Sequence, residues 1–393
     1  MTFRFSDELE AFRHEVRSFV QANLSPRTKR RAAQGLRLSK ADYIDWFKAL
    51  SARGWITPGW PLDHGGTDWT PLQRYIFEEE CYLEGAPPVT GGMNMIGPVL
   101  IQFGSEAQKA AYLPKMRAGD LWWAQGFSEP GSGSDLASLQ TKAVREGDDY
   151  VINGTKIWTT QANYADMMFA LVRTRPEGKP QESISMVLIP MKAKGVTIQR
   201  IMTIDGSGEL YQTFLDDVRI PAANLVGEEN KGWTYAKFLL GFERFGIAGI
   251  GLTKRQLDRL KRVLAAEGLT GNPRWAERVA RAEAGLMALE FTAIRLVQES
   301  AARSPGVESS LLKIRGTELR QQIYAMTLDA AGHAAVPYLD AVLADGWQTE
   351  PMGPEYAGTL AANYLENRKI SIYGGSNEIQ REVLAQAALG RMR

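Results

Sequence analysis

Four short stretches of this 393-residue chain hold residue types whose spacing could do chemistry. The first is Gln125-Gly126-Phe127-Ser128-Glu129-Pro130-Gly131-Ser132-Gly133-Ser134-Asp135. Glycines at 131 and 133 let backbone approach an anion closely, and the serines add hydroxyl donors. The same composition also makes an ordinary surface loop. The second, Asn153-Gly154-Thr155-Lys156-Ile157-Trp158-Thr159-Thr160, sets an aromatic face beside hydroxyls, which suits a planar ring. Trp and Thr also favour strands for packing reasons alone. The third is Ile372-Tyr373-Gly374-Gly375-Ser376-Asn377-Glu378-Ile379-Gln380-Arg381. Ser376 is a good helix N-cap, and a helix start behind paired glycines can receive an anion or a polarised carbonyl; a plain joint between helices reads the same way. The fourth is Glu243-Arg244, with Phe242, Phe245, Ile247, Ala248 and Ile250 close by. Desolvation raises a carboxylate's pKa toward the working pH, as a general base requires. An exposed helical glutamate paired with a nearby cation is the other reading.

The elements that must position these stretches follow a simple plan. Residues 6–23 read as an amphipathic helix, with Ser6 as N-cap and Leu9, Phe12, Val16, Phe19 and Val20 at helical spacing. A second helix is predicted over 40–53, with the stripe Tyr43, Trp46, Phe47 and Leu50. Turn residues dominate to Thr70, and helical patterning resumes from Leu72 to Tyr82 and then in two segments to Met116. From Leu121 to Val226 the spacing is that of strands and turns, as in an antiparallel sheet or barrel. Within it, Asn153-Gly154 predicts a hairpin, with Lys156-Ile157-Trp158 on the returning strand. After Gly227 the helical period returns. The expected domains are therefore 1–120 helical, 121–226 β and 227–393 helical.

Composition excludes several classes. Lys+Arg (46) and Asp+Glu (45) nearly cancel, so neither a nucleic-acid surface nor a basic membrane face is expected. Met1 to Arg27 carries charges throughout, unlike a secretory signal, and no apolar run reaches membrane-spanning length. The single cysteine, Cys81, precludes an internal disulfide and fits a reducing, cytoplasmic setting. His14, His64 and His333 show no metal-ligand spacing.

Taken together and in this order, the motifs resemble the acyl-CoA dehydrogenase family across essentially the whole chain. The tail Tyr373–Gln380 and the run Leu239-Leu240-Gly241-Phe242-Glu243-Arg244 look most like large subunits of pimeloyl-CoA dehydrogenases. The resemblance implies an α+β multi-domain fold: an N-terminal helical domain, a middle β-barrel-like domain and a C-terminal four-helix bundle. It implies FAD as cofactor, held between the last two. By that resemblance Gln125, Phe127 and Ser128 belong to the flavin site, Phe127 and Ser128 on the ring's pyrimidine side. Gly133 and Ser134 lie where phosphate and coenzyme A bind, Trp158 and Thr160 flank the ring near N5, and Ser376 and Glu378 contact FAD.

Many family members carry the catalytic glutamate directly after the tyrosine of the tail, where this chain has Gly374. A subset resembling isovaleryl-CoA dehydrogenase takes it from a bundle helix, just before an arginine, and Glu243-Arg244 fits that place. Glycine at 374 keeps its N–H, which in the family polarises the thioester oxygen. Two family elements that serve a neighbouring subunit's FAD are degraded, at Thr270-Gly271-Asn272-Pro273-Arg274-Trp275 and at Asp329-Ala330-Ala331-Gly332-His333. That asymmetry leaves a diverged homo-oligomer or a heteromer with a related small subunit. The expected activity is α,β-dehydrogenation of an acyl-CoA, with electrons passed to an electron-transferring flavoprotein. A flavin oxidase or monooxygenase, or a non-catalytic subunit, are the alternatives. Met93 and Met95 could line the acyl cavity or simply fill the core.

Overall fold

The computed structural model describes residues 4–89, 91–175, 177–243, 249–299, 308–338, 343 and 353–390. Ser6 caps α1 (Asp7–Asn23), whose Val16 and Val20 are buried. α2 (Pro26–Gln34) has no apolar stripe to announce it, since its buried residue is Thr28. It is held by charge instead. Arg27 and Arg31 meet the buried carboxylate of Asp42 at 2.9 and 2.8 Å. Burial pushes Asp42 upward, but hydrogen bonds from Ser39, Thr28 and Arg27 more than reverse this and hold it well below the usual carboxylate range. Asp42 also closes a reciprocal cap with Ser39 at the start of α3 (Lys40–Arg53), which buries Trp46, Phe47 and Leu50. α4 (Pro71–Glu84), α5 (Gly97–Phe103) and α6 (Glu106–Arg117) complete the N-terminal helices. α1 packs on α4, and Arg13 and Arg17 reach Glu79 and Glu80 at 2.9 and 2.8 Å.

Among the described residues seven strands follow: β1 (Trp123–Gly126), β2 (Lys142–Glu146), β3 (Asp149–Thr160), β4 (Met167–Arg173), β5 (Ile184–Pro190), β6 (Val196–Ile201) and β7 (Leu210–Pro221). They form one sheet in the order β1-β4-β2-β3-β7-β6, with β5 on the other side of β4. The sheet is mixed: β4 runs parallel to β1 and β2, and the other pairings are antiparallel. Alternation along β4 assigns its faces. Phe169 and Leu171 join the core shared with α5 and with α7 (Gly232–Glu243), while Met168, Ala170 and Val172 pack inside the curled sheet. Burial on both faces is why β4 and β5 read as continuous apolar runs.

The predicted hairpin at Asn153-Gly154 does not form. β3 runs unbroken through it, and the chain reverses at Gly147 and Asp148, between Glu146 and its partner Asp149. The dipeptide makes a bulge instead, where the register with β7 slips between Ile152 and Gly154. Asn153 spends its amide and carbonyl on Asp217 of β7, at 2.9 Å each, so neither closes a turn. Gly154, at φ +156°, lets the strand press on Thr141, where a Cβ would lie 2.5 Å from Oγ1.

The C-terminal helices are α8 (Ile250–Ala266), α9 (Pro273–Glu299), α10 (Glu308–Ala331), α11 (Leu360–Glu366) and α12 (Asn377–Leu389). Leu257, Leu260, Leu289, Leu312 and Ile323 anchor the core of α8, α9 and α10. α4 also packs on α8 and α9, so the first and last helical regions meet directly. Among the described residues no helix is long and apolar enough to cross a membrane.

Candidate active site

The Gly/Ser-rich motif leaves β1 at Gln125 and Gly126. Phe127 turns inward, its ring edge-on to Phe169 at 5.7 Å. The Ser128 carbonyl accepts the Ile157 N–H at 2.9 Å, which joins the first motif to the second. Glu129 then folds back under the loop. Its carboxylate accepts the N–H of Gln140 at 2.5 Å and of Thr141 at 2.9 Å, and meets Lys156 Nζ at 2.7 Å. Lys156 is fully buried and also donates to the Phe127 carbonyl at 3.3 Å. Burial pushes Lys156 down to about 8 against the pull of Glu129. Burial lifts Glu129, but Lys156 and the two backbone donors bring it below its ordinary value. The pair therefore persists as an ion pair at neutral pH and fixes the loop's base. The loop's tip stays open: Gly133 and Ser134 are exposed, and a Cβ at Gly131 or Gly133 would meet nothing within 4 Å. A crevice of about 480 Å³ lies beside it, lined by Glu129, Pro130, Ser132, Gln140, Gly154 and Thr155 among others.

The second motif carries the main backbone anomaly. Register with β7 slips again between Lys156 and Thr159, and in this bulge Trp158 adopts φ +61°. The indole is 52% exposed, whereas Thr159 beside it is sealed and its hydroxyl accepts from Thr213 at 3.2 Å. Thr160 is exposed. A left-handed tryptophan costs about 1–2 kcal/mol. An exposed aromatic held at such a cost is a candidate for stacking on a ligand.

The third motif is a turn built for glycine. Gly374 and Gly375 sit at φ +65° and +81°, so a glutamate at 374 would be strained. Ser376 caps α12 by accepting the Ile379 N–H at 3.3 Å, and Glu378 lies exposed in its first turn. Asn377 is buried, bonded to Lys313 and Thr317 of α10 at 3.1 Å each. Burial presses Lys313 down to about 8. The motif is tied to the second one. Lys369 meets Glu209 at 2.6 Å, and the Glu209 carbonyl accepts the N–H of Gln161, next to Thr160, at 2.7 Å. Ile372 and Tyr373 leave half or more of their surfaces uncovered.

Glu243 is the last residue of α7; its side chain, and Arg244 entirely, lie outside the described residues. Met93 is buried in the core of the N-terminal helices, its carbonyl accepting from Trp60 Nε1 at 2.7 Å, while Met95 packs at the edge of the separate core under α5 and α7. Sequence reasoning missed Glu129, Lys156, Glu209, Lys313 and Lys369. A lysine flanked by strand formers in β3 was the one available signal, and it does not name its partner.

Comparison with known proteins matches three family models in chain order: the acyl-CoA dehydrogenase N-terminal domain over 6–120, the middle domain over 124–218 and the C-terminal domain over 230–389. The chain belongs to the acyl-CoA dehydrogenase family. It is 34% identical to the acyl-CoA dehydrogenase IpdE1 of Mycobacterium tuberculosis, over 98% of each chain. Among solved structures it resembles the Tcur3481-Tcur3483 steroid acyl-CoA dehydrogenase, with a TM-score of 0.88 and 30% identity over the full length of both chains. It also resembles the ChsE4-ChsE5 complex of Mycobacterium tuberculosis, with a TM-score of 0.85 and 30% identity. Family members bind FAD and act as oxidoreductases on a CH–CH bond of acyl-CoA. The residues present fit that cofactor. An uncovered indole, a glycine turn tethered to its strand, and open space over the Gly/Ser loop supply a ring face, backbone donors and room for phosphate.

Proposed function

We propose that this protein converts an acyl-CoA to its 2-enoyl-CoA and passes the electrons to an electron-transferring flavoprotein. The observation that carries this reading is the tethering of all three motifs. The Ser128 carbonyl accepts from the Trp158 strand, and Lys369 pairs with Glu209, whose carbonyl accepts the Gln161 N–H just after Thr160. In this reading Gln125, Phe127 and Ser128 face the ring's polar edge, and Gly133 and Ser134 serve phosphate. Trp158 and Thr160 flank the reacting side, with Ser376 and Glu378 near the tail turn. Bound FAD supplies the hydride acceptor. Glu243 takes the proton from the carbon α to the thioester, with Arg244 beside it in sequence. The Gly374 N–H donates to the thioester oxygen and so stabilises the charge that develops there.

The experiment is anaerobic mixing with acyl-CoAs while flavin absorbance is followed. Glu243→Gln should retain FAD and lose about 10²-fold or more in flavin reduction, the range for loss of a general base. Full activity in that variant would remove Glu243 from the role. An intact protein that no acyl-CoA bleaches would overturn the reading itself.

The heteromeric relatives favour a finer statement about assembly. The Tcur3481-Tcur3483 and ChsE4-ChsE5 structures each pair two differently named proteins. This chain, with its altered 270–275 and 329–333 segments, is read as half of such a pair, and steroid-like acyl groups fall within its range. Purified alone, it should hold well under one FAD per chain; full, tightly retained FAD would refute the pairing.

A further inference from the structure

Three arginines lie on the packed helices α8 and α10 without an ion pair among the described residues. Arg255 and Arg259 lie one turn apart on α8, and Arg320 lies one turn before Tyr324 on α10. Arg259 is satisfied by neutral acceptors: the Thr359 hydroxyl at 2.7 Å and the Gln34 carbonyl at 3.2 Å. Arg320 is not. It is 6% exposed, its Nε is sealed without a partner, and no described residue bonds its guanidinium. Its Nη1 presses on Gly249 at the entrance to α8, where a Cβ would lie 2.4 Å away. Two residues on, Gly251 is crossed by α4 at Glu79 and Tyr82, where a Cβ would meet the Tyr82 Cβ at 3.0 Å. The first turn of α8 is thus a glycine-thinned wall between Arg320 on one side and Tyr82 on the other.

The surrounding groups are donors. Burial raises the phenols of Tyr82, Tyr324 and Tyr373 and outweighs the downward pull of the Arg320 charge, so all three keep their protons. Tyr373 leaves half of its surface uncovered and precedes Gly374 directly. The acids nearby do not compensate. Burial lifts Glu78 to about 7, and it accepts from Tyr82 rather than from an arginine. Glu366, likewise lifted to about 7 by burial, lies by Lys369 at 3.7 Å. A buried guanidinium without a carboxylate is costly unless an acceptor arrives with a ligand, and its planar fork suits a carboxylate or carbonyl.

We propose that Arg320, with Tyr324 and Tyr373, receives a hydrogen-bond-accepting oxygen carried by the acyl group, so that the substrates are oxygenated acyl-CoAs rather than plain alkanoyl-CoAs. This rests on the dehydrogenase reading and deepens it. The shared chemistry is the acceptor oxygen; whether a carboxylate or a ketone supplies it is decided by the probes.

The FAD-loaded protein, with its partner subunit where one is required, is titrated anaerobically with hexanoyl-CoA, adipoyl-CoA and a keto-hexanoyl-CoA. At least one oxygenated probe should exceed hexanoyl-CoA in kcat/KM by about 10²-fold or more, as sites built to hydrogen-bond a substrate group discriminate. Arg320→Met should collapse that ratio to about one, mainly by raising KM for the oxygenated probe. Arg320→Lys, which keeps charge but loses the fork, should fall between. Equal rates on all probes in the unaltered protein, or an equal loss on all probes in Arg320→Met, would overturn the proposal. If no probe bleaches the flavin, dehydrogenation fails as a reading. The ratio is then taken from the shift each probe causes in the oxidised flavin spectrum, so the two ideas fail separately.

Discussion

Lys156 in the sheet and Arg320 in the helical bundle are both buried cations, yet their surroundings differ in kind. Lys156 has a carboxylate at 2.7 Å and a backbone carbonyl at 3.3 Å, and that carboxylate has two backbone donors of its own. Arg320 has a glycine pressed on its guanidinium and no bonded acceptor among the described residues. The first arrangement is complete without any ligand and shapes a loop. The second is complete only when something else brings an oxygen. Burial alone therefore does not separate structural charge from binding charge; the state of the partner does.

The largest expected effect tests the structural side. Lys156→Met removes the cation and leaves the Glu129 carboxylate buried with two backbone donors. Breaking a buried pair from one side costs about 3–5 kcal/mol, to be read as a lowered midpoint in denaturant or heat. The Gly/Ser loop should also become protease-sensitive near Gly131, since Glu129 pins it. A loss below about 1 kcal/mol, the range of exposed pairs, would show that Glu129 finds water instead and that the contrast is overstated.

A smaller effect is expected where the same loop meets the bulge. Gly154→Ala places a methyl 2.5 Å from Thr141 Oγ1 and 2.7 Å from its Cα. A rotamer change at Thr141 relieves only the first contact, because the second is backbone. Overpacking of this sort costs about 1–3 kcal/mol, measurable by the same melt. The crevice that Gly154 lines should narrow as well, weakening retention of FAD. A neutral substitution would mean that β3 and Thr141 separate freely, and that the bulge does not hold the loop.

Much of the scaffold was legible before any coordinates. Ser6 and the Val16/Val20 spacing gave α1 its start and its buried face, because capping and helical periodicity are local rules that tertiary contacts here reinforce. α2 was not legible, since Arg27 and Arg31 act through Asp42, eleven or more positions away, and charge at that separation leaves no periodic trace. Asn153-Gly154 misled for the opposite reason: a local turn signal was overridden when Asp217 engaged the Asn153 side chain. Of the candidate site, Trp158, Ser376 and the glycine pair were singled out from motif order, and the structure gives them an exposed indole, a helix cap and a left-handed turn. Lys156 and Arg320 could not be singled out, because surface lysines and arginines look the same in sequence as buried ones. Only packing distinguishes them.

The smallest change in stability is expected at Arg320, and it bears hardest on the comparison. In the ligand-free protein Arg320→Met keeps an unbranched side chain of similar length and removes a desolvated charge that has no ion pair. Replacing buried charge by apolar groups is often neutral or stabilising, so the melting midpoint should stay within about 0.5 kcal/mol of the original or rise, with some packing lost from the shortened tip. The same substitution should cost specificity for oxygenated acyl groups. Lys156→Met should show the reverse pattern: a large loss of stability, and no change in the preference between oxygenated and plain acyl groups. If Arg320→Met instead destabilised the free protein by about 3 kcal/mol or more, the size expected of a broken pair, Arg320 would belong with Lys156 as a structural cation.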